Sequence, residues 1–211
     1  MFKGKKICVL APHTDDGELG VGGVLHKYKD TAKDIRYFAF SICRDSLPAD
    51  LADDTLKIEC QNATNKLGIS NKNVIFYDYK VRTFPENRQN ILDDMISIRT
   101  KYSPDIIFTP ASNDVHQDHK IIYEESVRAF KNNILLGYEM PWNCLSHRSE
   151  LLVGLDDNNL ASKIKALHQY HSQLHRRYIS EESIKSIATY NGLKANTNYA
   201  EAFEVIRWVI D

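Results

Sequence analysis

The chain lacks an excess of positive charge, a long apolar run and any paired-cysteine motif. Its 27 Lys and Arg stand against 28 Asp and Glu, a formal net charge of −1. Proteins that bind nucleic acid carry a basic surplus to displace counterions from phosphates, so nucleic acid is not the expected partner. No segment approaches the roughly 18 apolar residues of a membrane span. The opening MFKGKKICVLAPHTDD has an apolar run shorter than the roughly 7 to 15 residues at the heart of a signal peptide. A cytoplasmic protein with no membrane span is the expectation. Cys8, Cys43, Cys60 and Cys144 form no CxxC pair, and a chain of 211 residues needs no disulfide staples, so they read as free thiols. There is no internal repeat, no Gly/Ser linker and no long charge run, which leaves one domain over residues 1–211. Hydrophobic residues at 43% and charged residues at 26% match an ordinary folded domain and exclude global disorder.

Two periods alternate along the chain. Short β-rich runs at Lys6–Leu10, Ile35–Ser41, Val74–Tyr79, Ile106–Thr109 and Ile134–Tyr138 are separated by stretches of helical spacing. Those stretches are Gly20–Tyr28, Leu47–Leu67, Asn87–Tyr102 and Asp118–Lys131. The order predicts an α/β protein with a mostly parallel sheet and helices on both faces. Lys66-Leu67-Gly68 and Ser103-Pro104 read as helix stops. Past residue 140 the pattern loosens: Asp156–Gln173 and Glu181–Tyr190 read as helical, and Ala202–Val209 fits a helix or a last strand. This part is expected as a C-terminal cap.

Open parallel sheets bind ligands at the carboxyl ends of their strands. The loop after the first strand, Ala11–Glu18, and the loop after the fourth, Pro110–His119, are both crowded with ionisable groups. His13 and Asp16 are three apart, as are His116 and His119, and residues so spaced on a helical turn point the same way. Two imidazoles and a carboxylate drawn from these loops make a tridentate N,N,O set, which suits Zn²⁺ or another divalent cation and leaves a position open. Asp15, beside Asp16, is a second carboxylate able to take a proton from activated water. His116, if not a ligand, is placed to donate to an oxyanion or a leaving amine, and Asp118 to fix that imidazole's tautomer. Taken singly, the acidic pair also fits a helix cap and the histidines a solvated helix start. The glycines of Gly17–Gly23 match neither GxGxxG nor GxxxxGK and fit close helix–sheet packing. His26, His147, His168 and His175 read as structural or surface residues. Loops Arg44–Asp50 and Glu139–Glu150 follow strands at the same edge and are expected to line the substrate side.

These residues carry a family resemblance. Ala11–Gly23, APHTDDGELGVGG, resembles the (P)HPDDExxGxGG motif of the PIG-L/LmbE family of zinc-dependent N-acetyl-amino-sugar deacetylases, and His116-Gln117-Asp118-His119 resembles its HxDH motif. Lys165-Ala166-Leu167, His171-Ser172-Gln173 and Glu201-Ala202-Phe203 resemble later segments in the same order, so the match runs from residue 6 to about 207. The resemblance implies a Rossmann-like fold and one zinc held by His13, Asp16 and His119. It also implies Asp15 as general base, His116 as electrostatic or acid partner, and an N-acetylated amino sugar of a glycoconjugate or sugar nucleotide as substrate. The sequence departs from the family pattern at Thr14, where Pro is usual, and at Gly17, where Glu is usual. It departs again at Asp114, where some members place Tyr; Asp114, Arg44 and Lys57 are the candidate substrate-binding residues. Other amide or phosphoester hydrolysis, and a Mg²⁺-binding receiver-like domain using Asp78, are the alternatives.

Overall fold

The computed structural model describes residues 1–146 and 148–209; His147 lies outside the described residues. Among the described residues seven strands form one sheet: β1 (Lys6–Ala11), β2 (Asp34–Ala39), β3 (Val74–Phe76), β4 (Ile106–Pro110), β5 (Ile134–Tyr138), β6 (Leu151–Leu155) and β7 (Tyr199–Arg207). Their spatial order is β3-β2-β1-β4-β5-β7-β6, with the first five parallel and β7 antiparallel to both of its neighbours. The six α-helices among the described residues are α1 (Asp16–Tyr28), α2 (Thr55–Lys66), α3 (Arg88–Tyr102), α4 (Gln117–Ala129), α5 (Asp157–Leu167) and α6 (Glu181–Ala195). None of the helices searched among the described residues is long and apolar enough to cross a membrane.

The core follows from the strand period. On β1, Ile7, Val9 and Ala11 face one apolar cluster and Cys8 and Leu10 the other. The first cluster takes in residues of α1, α2 and α5, and the second residues of α3 and α4. A strand covered on both faces reads as a continuous apolar run, which is why KICVLA was recognisable. The order 3-2-1-4-5 places the switch point between β1 and β4, where the loops after the two strands leave in opposite directions and open a crevice.

Several parts differ from the sequence reading: α1 begins at Asp16 rather than Gly20, β3 ends at Phe76 rather than Tyr79, and α5 ends at Leu167 rather than Gln173. The second helix starts at Thr55 rather than Leu47: Pro48 and the acidic run before Thr55 stay in turns, with only a short 3-10 turn at Arg44–Ser46. The residues expected as a cap also extend the sheet, because β6 and β7 continue it beyond β5. A buried ion pair anchors this extension. Glu201 on β7 accepts from the amides of Gly23 and Val24 (2.9 and 2.8 Å) and from Lys163 Nζ (2.6 Å), which also donates to the Leu19 carbonyl. The lysine that does this is Lys163, not the exposed Lys165 of the KAL segment. Close approach explains the glycines of α1. A Cβ on Gly20 would lie 2.5 Å from the ring of Tyr138, a buried residue whose hydroxyl donates to the Leu10 carbonyl.

Candidate active site

The two loops expected to meet at the sheet edge do so. His13 Nδ1, Asp16 Oδ2 and His119 Nε2 form a triangle with edges of 3.2, 3.2 and 3.3 Å. Zinc bound at about 2.0–2.1 Å by three corners of a tetrahedron needs donors about 3.3–3.4 Å apart, so the set fits that ion with little movement. The tautomers agree. Asp118 Oδ2 lies 3.1 Å from His13 Nε2 and Asp114 Oδ2 lies 2.8 Å from His119 Nδ1. Each carboxylate keeps the proton on the far nitrogen and leaves the near one as a lone-pair donor, as is usual behind metal-bound histidines. Asp16 is held in turn by the amide of His13 at 2.8 Å. His13, His116 and His119 also offer three nitrogens within 4.8 Å of one another.

Electrostatics favour a cation here. Burial opposes charge on His13, yet hydrogen bonds to Asp118 and Asp16 outweigh it and hold the imidazole up at about 9. For His119, burial is likewise overcome by Asp16 and Asp114, which raise it to about 10. The same histidines hold Asp16 far below the usual carboxylate range despite its burial. A metal must displace these protons, so affinity should climb with pH. The expected rise is about tenfold to a hundredfold per pH unit below pH 9, according to whether one or two protons leave; zinc competition titrations at pH 6 and pH 8 check it. Asp114→Asn should weaken zinc binding by about 10- to 100-fold while the three ligand residues remain, measurable against a chelator of known affinity.

Asp15 and His116 flank the triangle in an open cavity of about 280 Å³. Asp15 sits at the N-cap position of α1, but its side chain makes no capping bond, which removes the helix-cap explanation for it. Burial and neighbouring Asp16 push its carboxyl up to about 6, against the pull of His13 and Arg176. His116 caps α4: its Nδ1 accepts from the Asp118 amide at 3.2 Å. The neutral ring therefore carries its hydrogen on Nε2. Burial, with His119 and His13 nearby, lowers the pKa of His116 and favours that neutral form.

Several candidates take other places than expected. The carboxylate of Asp118 does not hold His116: it bonds His13 and accepts from the amides of Arg82 (2.7 Å) and Phe84 (3.4 Å). Asp114 is buried behind His119 and accepts from the His116 amide, so it supports the site and does not face substrate. Arg44 reaches out to Asp78 at 2.8 Å and Lys57 lies over the ring of Phe76; neither lines the cavity. Asp78, exposed and paired with Arg44, is not gathered with Asp15 and Asp16, so the receiver-like arrangement is not formed. Gly17 gives room to the Tyr37 ring, which a Cβ would strike. The buried Glu18 then lies within hydrogen-bonding distance of the Tyr37 and Tyr170 hydroxyls (2.5 and 2.8 Å), both of which also reach the Thr14 carbonyl. Both expected loops contribute to the wall, through Ser46, Trp142 and Asn143. Trp142 stacks on Tyr178 with centroids 4.2 Å apart. Gln173, noted in the sequence only as part of the HSQ segment, lines the cavity, and so do Tyr178 and Arg176, which were not singled out; an aromatic and a charged residue in a loop carry no period that marks them.

Fold and site together define a Rossmann-like α/β protein with a His-Asp-His cluster fitted to a divalent cation. The family model of PIG-L, GlcNAc-PI de-N-acetylase, matches residues 8–130, more than half of the chain, and the chain belongs to that family. It is 27% identical over 174 residues to the uncharacterized deacetylase YaiS of Escherichia coli K12, covering 81% of this chain and 92% of that protein. Among solved structures it resembles the N,N'-diacetylchitobiose deacetylase of Pyrococcus horikoshii (TM-score 0.77, 19% identity, 96% of this chain and 84% of that one). It also resembles GalB, the 4-carboxy-2-hydroxymuconate hydratase of Pseudomonas putida KT2440 (TM-score 0.76, 15% identity, 98% of each chain). One fold thus carries a hydrolase and a hydratase, and the reaction has to be argued from side chains.

Proposed function

We propose that the protein is a zinc-dependent N-deacetylase that hydrolyses the acetamide of an N-acetylated amino sugar, within a glycoconjugate or sugar nucleotide, to acetate and free amine. The observation that carries the reading is the convergence of three ligand atoms with Asp15 and His116 at the same cavity. Family membership and the deacetylase names of relatives support it.

His13, Asp16 and His119 would hold the metal, which supplies Lewis-acid activation of water and of the amide carbonyl. Asp15, poised near neutrality, accepts the proton of the attacking water. His116 offers its Nε2 hydrogen to the carbonyl oxygen as charge develops there. The proton gained by Asp15 passes to the departing nitrogen, so water adds across the C–N bond and the amine leaves neutral. Asp114 and Asp118 hold the imidazoles in register throughout.

The test is a screen of zinc-loaded protein against N-acetylated amino sugars, with acetate, free amine and phosphate measured together. Acetate and amine in equal amounts, abolished by chelation and restored by zinc, are expected. Phosphate release without acetate from a sugar nucleotide would sink the reading in favour of phosphoester hydrolysis.

A further inference from the structure

The cavity holds a cation that is neither one of the three metal-facing donors nor one of the two proton-handling groups. Arg176 lines it together with Asp15 and His116, and no carboxylate among the described residues is in ion-pair contact with its guanidinium. The side chain is nevertheless fixed. Its Nε donates to Gln173 Oε1 at 2.6 Å, and Gln173 Nε2 donates to Ser172 Oγ at 3.1 Å. Ser172 donates from its amide and its hydroxyl to the two oxygens of Glu59 on α2, at 2.9 and 2.6 Å. Gln173 and Glu59 are both buried. The HSQ segment, noted in the sequence only for its order, is thus the middle of a relay that ends on one exposed guanidinium.

With Nε committed, the Nη1 and Nη2 groups remain. Their planar pair of donors matches the oxygens of a phosphate or a carboxylate. Arg82 lines the same cavity, and among the described residues no carboxylate is in ion-pair contact with its guanidinium either. Its backbone is held at φ +69° with the amide on Asp118. The other cations singled out in the sequence, Arg44 and Lys57, lie outside the cavity. Asp15 feels the Arg176 charge through space, but it is not hydrogen-bonded to the guanidinium, whose Nη donors stay free to meet a ligand in the cavity.

We propose that Arg176 binds an anionic group, phosphate or carboxylate, on the part of the substrate beyond the acetamido carbon, with Gln173, Ser172 and Glu59 as its positioning residues. This rests on the deacetylase reading for its reaction but not for its binding. It narrows the substrate to acetamido sugars that carry such an anion.

The experiment compares N-acetylglucosamine 1-phosphate, a glycoside bearing a carboxylate and the neutral methyl glycoside on zinc-loaded protein. It reads kcat and KM, together with calorimetric binding. The wild type should prefer at least one anionic sugar, and whichever anion wins identifies the group. Arg176→Gln should lower the anionic-to-neutral ratio of kcat/KM by about 10- to 100-fold, chiefly through KM. Gln173→Leu should lose part of that ratio, and Gln173→Glu should lose it as well, because a carboxylate on Nε neutralises the guanidinium while keeping its position. Arg128→Gln, which removes an equal charge from the surface of α4, should leave the ratio as it was. Acetate released equally from all three sugars, or a ratio untouched by Arg176→Gln, overturns the proposal and spares the deacetylase. Anion-dependent binding lost in Arg176→Gln, with no acetate from any sugar, overturns the deacetylase and spares the anion site.

Discussion

Asp15→Asn should hold zinc at the wild-type stoichiometry and lower kcat by about 10²- to 10⁴-fold, the usual scale for losing a positioned general base. The two halves of that expectation have separate grounds. Asp15 is not one of the three converging donors and makes no side-chain cap to α1, so neither loading nor helix docking depends on its charge. Its carboxyl, pushed up to about 6, exchanges protons near neutral pH, and an amide of the same shape cannot. Replacing Asp15 also removes a like charge beside Asp16, so the variant should fold at least as well as the wild type. The comparison needs elemental analysis and acetate kinetics on the same preparation. Turnover near the wild-type rate with zinc in place would take the base role away from Asp15.

His119→Ala should show the opposite pattern: zinc falls from about one per chain to near none, and turnover disappears with it. The imidazole is the joint between two buried carboxylates, bonded to Asp114 at 2.8 Å and in contact with Asp16 at 3.2 Å. Deleting it removes a ligand, leaves Asp114 without its cationic partner and leaves Asp16 with His13 alone. Breaking a buried ion pair from one side costs about 3–5 kcal/mol, so the metal-free variant should also unfold at clearly lower denaturant than the metal-free wild type. Full zinc in His119→Ala, or an unchanged unfolding midpoint, would contradict the assignment of the triangle.

Much of this was legible because the informative features are local. An apolar run ending in APHTDD states a strand and the loop it delivers, and HQDH does the same after the fourth strand. What was not legible depends on long-range approach. β6 is five residues with a glycine inside, too short to stand out, and β7 reads as a strand only once it lies between β5 and β6. Asp118 was expected to hold its near neighbour His116, but tertiary packing brings His13 and two amides from the segment before α3 to its oxygens. Arg176 is one of many charged loop residues until the bonds through Gln173 and Ser172 fix it beside Asp15.

Asp118 joins three connections: the one after β1 through His13, the one before α3 through Arg82 and Phe84, and its own at the start of α4. Such a keystone makes them a cooperative unit. A local opening that frees any of the three strands the carboxylate of Asp118 in the interior, so partial opening gains little and the connections let go together. The amides of Arg82 and Phe84, neither of them near the metal ligands in sequence, therefore become remote reporters of occupancy: filling the site slows their exchange with solvent deuterium, and emptying it releases them as a pair.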